Sequence, residues 1–390
     1  MRVLLVTSRN PLPAWRGNQV RTVEWLDALA EHELALVCPD SGDGAPSLQS
    51  VEGIQYGLGT ASRAVGLFRA VVRGRPLQEG LYDTGRGRRA VARKVGRWRP
   101  DVVVVQMVRC GWASDVIRQS SPNVPVVFDA IDAMGLHFER AGETSAFPLS
   151  LAYLAEAGRC RRREQGLAAS AAVTVAVSGR DLEALAAPEG KGRVVPVAGR
   201  EVARAESEAG GPVVLLSGNL GYRPTVRGAL WFAREVWPRV RAAVPGARWV
   251  LAGARPATEV RRLGRIVGVE VHADVPDLAT FLAHSRVAVA PMSSGSGVPM
   301  KVLEAMAAGL PAVVHPWAAE GLVGDADEAV AVASKAEDWV AVLEALLRDP
   351  GAARDLGLRG RDLWRRYYHP DRVAEQIRDV VAEAAQTEAR

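Results

Sequence analysis

Cysteine is scarce: Cys38, Cys110 and Cys160 are the only three in 390 residues. They are far apart and odd in number, which fits neither a disulfide framework nor a zinc spacing. A reducing cytoplasm is therefore the expected location. The six histidines form no His-x-x-x-His or related pattern, so no metal site is expected. No apolar run approaches the ~18–20 residues needed to span a bilayer. Residues 1–7 turn polar too early for a signal peptide and read as a buried first strand. Internal repeats and long low-complexity tracts are absent. Aromatic residues make up 6% of the chain. No stacking motif or DNA-binding module accompanies the basic charge, so a nucleic-acid partner is not expected.

The chain does have a real core composition, with 48% hydrophobic and 24% charged residues, and its length suits two domains. The net charge of +5 is uneven: residues 1–200 hold 26 Lys and Arg against 20 Asp and Glu, residues 201–390 hold 23 against 24. Much of the excess lies in 63–99, where Glu79 and Asp83 are the only acids. A basic first half favours anionic partners. Two helical patterns in it are amphipathic: Val91, Val95 and Trp98 share one face among seven basic residues, and Val65, Phe68 and Val72 share another beside Arg69 and Arg73. Each fits either a core-facing stripe with a solvated basic face or a helix lying on an anionic membrane, which would make the protein peripheral at the inner membrane face.

Short apolar runs at 3–7, 34–38, 101–105, 124–129 and 173–177 alternate with helical patterns such as 17–30 and 148–167. That is the rhythm of a parallel sheet wrapped by helices. A small, charged, Gly-rich stretch, 196–212, interrupts it. The rhythm then restarts, with strands expected at 213–216, 248–252, 269–272, 287–290 and 312–315 and helices at 225–240, 279–283 and 301–308. The fold class implied is α/β, two facing Rossmann-like domains: a first domain over 1–198, a linker over 199–212, a second domain over 213–365 and a final helix over 366–390. Ligands in such sheets bind beyond the carboxyl ends of the strands, so an interdomain cleft is the expected site.

The most informative segment runs strand, Gly/Ser loop, helix, Gly-Leu-Pro stop, strand over 290–314. A glycine loop entering a helix offers free backbone N–H groups and the positive dipole end, which suits a diphosphate. Lys301 adds a full charge in the first turn, where it is unfavourable for the helix alone. Glu304 lies three residues on, on nearly the same face, and its carboxylate can accept from two ribose hydroxyls. An ordinary loop with a solvated Lys–Glu pair is the competing reading of the same residues.

The string Gly295-Ser296-Gly297-Val298-Pro299-Met300-Lys301-Val302-Leu303-Glu304-Ala305-Met306-Ala307-Ala308-Gly309-Leu310-Pro311 resembles the donor-binding segment of retaining glycosyltransferases of the GT4 family, which have the GT-B fold. Gly218-Asn219-Leu220-Gly221-Tyr222-Arg223-Pro224 resembles the opening of that family's second domain, and Val275-Pro276-Asp277-Leu278 its loop beside the nucleotide base. Residues 124–132 and Arg161-Arg162-Arg163-Glu164 resemble a subgroup of envelope and exopolysaccharide sugar transferases. The resemblance implies a nucleotide-sugar donor of UDP, GDP or dTDP type, no separate cofactor, and a glycan, lipid-linked or small-molecule acceptor. By position, Glu304 would bind ribose, while Gly295, Gly297, Val298 and Met300 would hold diphosphate and sugar. Gly17, beside Arg16 and Asn18, would approach the donor phosphate from the first domain. Gly218 and Asn219 would line the donor site, and Val275 would read the base. It also implies that the last helix crosses back to the first domain.

Two departures from the family pattern stand out. The position eight before Glu304, commonly a second glutamate, is Ser296. The Arg and Lys common after the first strand of domain two are replaced by Asn219 and Pro224. Lys301, with Arg223, is expected to supply the missing phosphate charge, in a front-face mechanism that needs no metal. Candidate catalytic groups are Lys301, Ser296, Asp132 and His137. Gln106, Arg109 and Asp129 follow strands at their carboxyl ends and, with Arg16 and Asn18, are acceptor-side candidates. Asp325-Ala326-Asp327 reads as a surface loop. A non-catalytic nucleotide-sugar-binding scaffold and a nucleotide-sugar epimerase are the alternative functions.

Overall fold

The computed structural model describes residues 1–14, 17–40, 51–143, 145–202, 211–292 and 299–387. The chain divides into two compact units, Met1–Val197 with Val373–Arg390, and Ala198–Arg372.

The first unit is built on seven strands: β1 (Arg2–Val6), β2 (Glu33–Pro39), β3 (Glu52–Tyr56), β4 (Val102–Gln106), β5 (Val126–Ile131), β6 (Val173–Ala176) and β7 (Gly192–Val194). Their order in the sheet is β3-β2-β1-β4-β5-β6-β7, and every pairing is parallel. The central strands are apolar throughout because helices cover both faces; Val3–Val6 and Val102–Val105 have no exposed surface. The order reverses between β1 and β4, the crevice where such sheets bind ligands. The edge strands β3 and β7 were not expected. They are short or half-exposed, so neither shows a continuous apolar run.

The second unit carries β8 (Val213–Asn219), β9 (Arg248–Ala254), β10 (Val269–Ala273), β11 (Val287–Ala290), β12 (Ala312–Val314) and β13 (Ala331–Val332). Their order is β10-β9-β8-β11-β12-β13, again all parallel. An aromatic cluster fills one face: Phe232 lies 4.7 Å from Trp249, and Trp339 is fully buried edge-on to Phe232. The single helix expected over 225–240 is three pieces: Arg223–Trp231, a π turn over Phe232–Val236, and Trp237–Ala243. Pro238 has no N–H to give to the previous turn and its ring crowds that turn, so the ladder widens just before it.

The final helix, Pro370–Gln386, turns Val373, Ile377, Val380 and Val381 inward. It is tied within the first unit by Arg193–Glu383 at 2.6 Å and by Arg378, whose Nη1 donates to the Ala28 carbonyl at 3.4 Å.

Candidate active site

In the second unit, helix Met300–Ala307 packs against β8, β11 and β12. Gly218 (φ +103°) and Gly253 (φ +155°) stand opposite each other in register. A Cβ on Gly253 would overlap the Gly218 carbonyl, so the strand ends close up only because both are glycine. That leaves room for a side chain to cross the end of β8, and Lys301 takes it. An added Cβ on Gly218 would sit 3.6 Å from Lys301 Cε and 3.9 Å from Nζ. The helix stops at Gly309 (φ +64°), with Leu310 N–H donating back to the Ala305 carbonyl at 2.8 Å, a left-handed glycine stop.

Lys301 is half-buried, and its only polar contact among the described residues is Met292 Sδ at 3.4 Å. A thioether is a poor acceptor for an ammonium. Burial pulls the lysine down to about 8, opposed by the charge of Glu304. Glu304, also half-buried, is pushed up by burial, while Lys301 and Arg200 draw it down. This cation lacks an anionic hydrogen-bond partner, and the carboxylate one helical turn on accepts no hydrogen bond among the described residues.

Asn219 is exposed at the end of β8, its Oδ1 accepting from Gly221 N–H at 3.0 Å. Arg223 is exposed at the start of its helix, and Val275 and Met300 pack on the apolar face beneath. Gly295, Ser296, Gly297 and Val298, like Arg16, lie outside the described residues. Arg200, near Glu304, had no signal in the sequence because it sits in the stretch read as linker.

In the first unit the acceptor-side candidates divide by depth. Asp129 is fully buried: its Oδ2 pairs with Arg21 Nε at 3.3 Å and accepts from Gln106 Nε2 at 3.0 Å. Gln106 Oε1 in turn accepts from Thr22 Oγ1 at 2.6 Å. Arg21, also without exposed surface, donates to the carbonyls of Val195 and Pro196. These groups bind helix Gly17–Ala28 to β4, β5 and the segment after β7. Gly17 is exposed at the start of that helix, and the Asn18 carbonyl accepts from Thr22 Oγ1.

Arg109, Asp132 and His137 are only half-buried. Arg109 donates to Gln78 Oε1 at 2.5 Å; burial lowers its proton affinity, and Arg9, beyond β1, lowers it further. Burial likewise lowers His137, with Arg109 and Arg140 adding to it. Arg109 and Arg140 thus bear on the His137 imidazole, and Arg9 bears on Arg109. Arg9 and Arg140 are in no sequence motif; only the position of Arg9 just past β1 signals it. Two buried carboxylates fix the loop carrying Asp132. Asp181 Oδ1 accepts from Ala133 N–H at 3.0 Å, and Glu164 accepts from Met134 and Gly135 N–H at 2.7 and 3.0 Å. Among the described residues no group of His, Cys, Asp and Glu is placed to hold a metal.

Fold and sequence agree on the class. Residues 211–349 match the family model described as Glycosyl transferases group 1, and the two Rossmann-like units form the GT-B fold. The fold is of the GT-B class. Among solved structures the chain resembles sucrose-phosphate synthase from Thermosynechococcus elongatus, with a TM-score of 0.71 at 15% identity over 97% of both chains. It also resembles Anabaena HepE in complex with UDP and glucose, with a TM-score of 0.66 at 11% identity over 98% of this chain and 99% of that one. α,α-Trehalose 6-phosphate synthase from Burkholderia multivorans gives 0.65 at 14% identity over 100% and 98%. Among curated proteins none matches the chain by sequence.

Proposed function

We propose that the protein is a retaining glycosyltransferase. It takes a sugar from a UDP, GDP or dTDP sugar and places it on a hydroxyl of a glycan, lipid-linked glycan or small natural product. The observation that carries the reading is Lys301: a half-buried ammonium lying across Gly218 whose only hydrogen-bond contact among the described residues is a thioether. A diphosphate is the partner such a charge lacks. Glu304, three residues on, is the acceptor for ribose hydroxyls. HepE with UDP and glucose supports a uridine donor.

In this reading the bond from the anomeric carbon to the β-phosphate oxygen breaks. The acceptor oxygen bonds on the same face, and its proton passes to the departing diphosphate. Lys301 and the first-turn amides of helix Met300–Ala307 stabilise the charge that builds on the diphosphate, and Lys301 replaces a metal in that task. In the first unit, Asp132 and His137 beside Arg9 and Arg109 would receive the acceptor. An imidazole suits proton handling, and the arginines suit an anionic acceptor.

The test is calorimetry and thermal shift with UDP, GDP, ADP, dTDP and their sugars, with and without EDTA, on wild type, Lys301→Ala and Glu304→Ala. One base-selective nucleotide, bound in EDTA and weakened in both variants, is expected. No binding by any nucleotide overturns the reading. Binding without sugar transfer to any acceptor would instead identify a nucleotide-sugar-binding scaffold, the reading that Ser296, in place of a carboxylate, favours.

A further inference from the structure

The two basic amphipathic helices of the first unit read alike in the sequence, yet they pack in opposite senses. Helix Gly85–Trp98 turns its apolar stripe inward, with Val91 and Val95 buried. Helix Thr60–Val72 buries only Gly66 and Ala70. A Cβ on Gly80 would lie 2.8 Å from both Ala70 Cβ and the Gly66 carbonyl, and one on Gly66 would overlap the Gly80 carbonyl. The helix is therefore seated backbone to backbone on helix Leu77–Tyr82, through small residues alone. At about 100° per residue, its large apolar side chains fall on the far side: Val65, Phe68, Val71 and Val72 are 53%, 72%, 55% and 68% exposed. Apolar groups clustered this way on a surface mark a contact site.

Charge selects the partner. Residues 57–78 contain no Asp or Glu. Arg69 borders the apolar stripe, Arg63 is exposed in the first turn of the helix, Arg73 follows it, and none of the three has an ion pair among the described residues. A second apolar group, Phe147, Leu149, Leu151 and Leu154, is exposed at the start of helix Leu149–Ser170. That helix holds the same short support, its Glu156 Oε1 accepting from Leu77 N–H at 2.7 Å. The geometry points to helix Thr60–Val72 as an anchor lying in the headgroup layer of an anionic lipid bilayer. The valines and Phe68 enter the acyl boundary, and the arginines spread sideways to lipid phosphates. This surface is independent of the sugar-transfer reading.

The test is sedimentation of the full chain with vesicles of phosphatidylcholine alone and of phosphatidylcholine with phosphatidylglycerol. The wild type is expected to pellet with the second and not the first, and less so at high salt. Phe68→Ser with Val72→Ser is expected to weaken binding about tenfold, with an unchanged melting midpoint because both side chains are exposed. Arg63→Glu with Arg69→Glu should abolish the preference for anionic lipid. Arg93→Glu with Arg97→Glu, on the helix whose apolar face is buried, should weaken binding no more than about twofold. The proposal fails if the wild type does not pellet with anionic vesicles, or if Phe68→Ser with Val72→Ser pellets as well as the wild type. It also fails if the apolar pair instead holds together a dimer of this chain that does not bind vesicles.

Discussion

Lys301 lies across Gly218: its Cε and Nζ would be 3.6 and 3.9 Å from a Cβ added to that glycine. The ammonium is half-buried and, among the described residues, hydrogen-bonded by no carboxylate, so its burial costs folding energy that a ligand can recover. Lys301→Met should therefore raise stability at pH 7 by about 1–3 kcal/mol and weaken nucleotide binding by about ten- to a hundredfold. Urea unfolding and calorimetry on the same preparations check both halves. A variant that loses stability would show that Lys301 is structural.

The same lysine sets a pH dependence. Its folded value is about 8 against an ordinary 10.5, so the unfolded chain binds the proton more tightly. Stability from this group is lowest below pH 8 and rises as pH climbs from 8 towards 10.5. A bound diphosphate would restore the proton. Nucleotide binding near pH 8 should then take up protons, seen as a binding enthalpy that changes with the ionisation enthalpy of the buffer. Lys301→Ala should remove that change.

Glu164 gives the opposite slope. Burial lifts its carboxyl from 4.5 to about 7, against the pull of the Met134 and Gly135 amides. The folded chain thus holds the proton more tightly, and this group's contribution to stability grows as pH falls from 7 towards 4.5. Glu164→Gln should flatten that slope. It should also cost about 1–3 kcal/mol at pH 7, because a carboxamide cannot accept from both amides. Urea midpoints measured across this range give the result directly.

Arg21 and Asp129 form a fully buried pair. Arg21→Leu leaves the Asp129 carboxylate uncompensated and should cost about 3–5 kcal/mol, read as a fall in the thermal midpoint. Changing both residues to apolar ones of similar volume should recover part of the loss. If Arg21→Leu were neutral, the pair would not be what holds helix Gly17–Ala28 to β5.

Much of the architecture was legible. The central strands of both units are continuous β-branched runs, and parallel strands buried on both faces give that pattern directly. Helix Met300–Ala307 was legible from the stop at Gly309 and from the charged pair Lys301 and Glu304. Edge strands β3, β7 and β13 were not, because a short strand with one open side carries no periodic signal. Asp129, Gln106 and Asp132 all looked alike as polar residues at strand ends. Whether such a residue is clamped inside, like Asp129, or half-open, like Asp132, depends on Arg21, more than a hundred positions away.

The sequence by itself determined two parallel α/β sheets, their strand–helix rhythm and the placing of a lysine and a glutamate in the first turns of one helix, since these follow from local patterning. The tertiary structure alone decided that Lys301 crosses the end of β8, that Arg21 neutralises Asp129, and that one basic helix packs its apolar face while its neighbour shows it to solvent. A helical repeat states which residues share a face. Which face turns inward is decided by what it meets, and for helix Thr60–Val72 the close fit of Gly66 on Gly80 outweighs its larger apolar side.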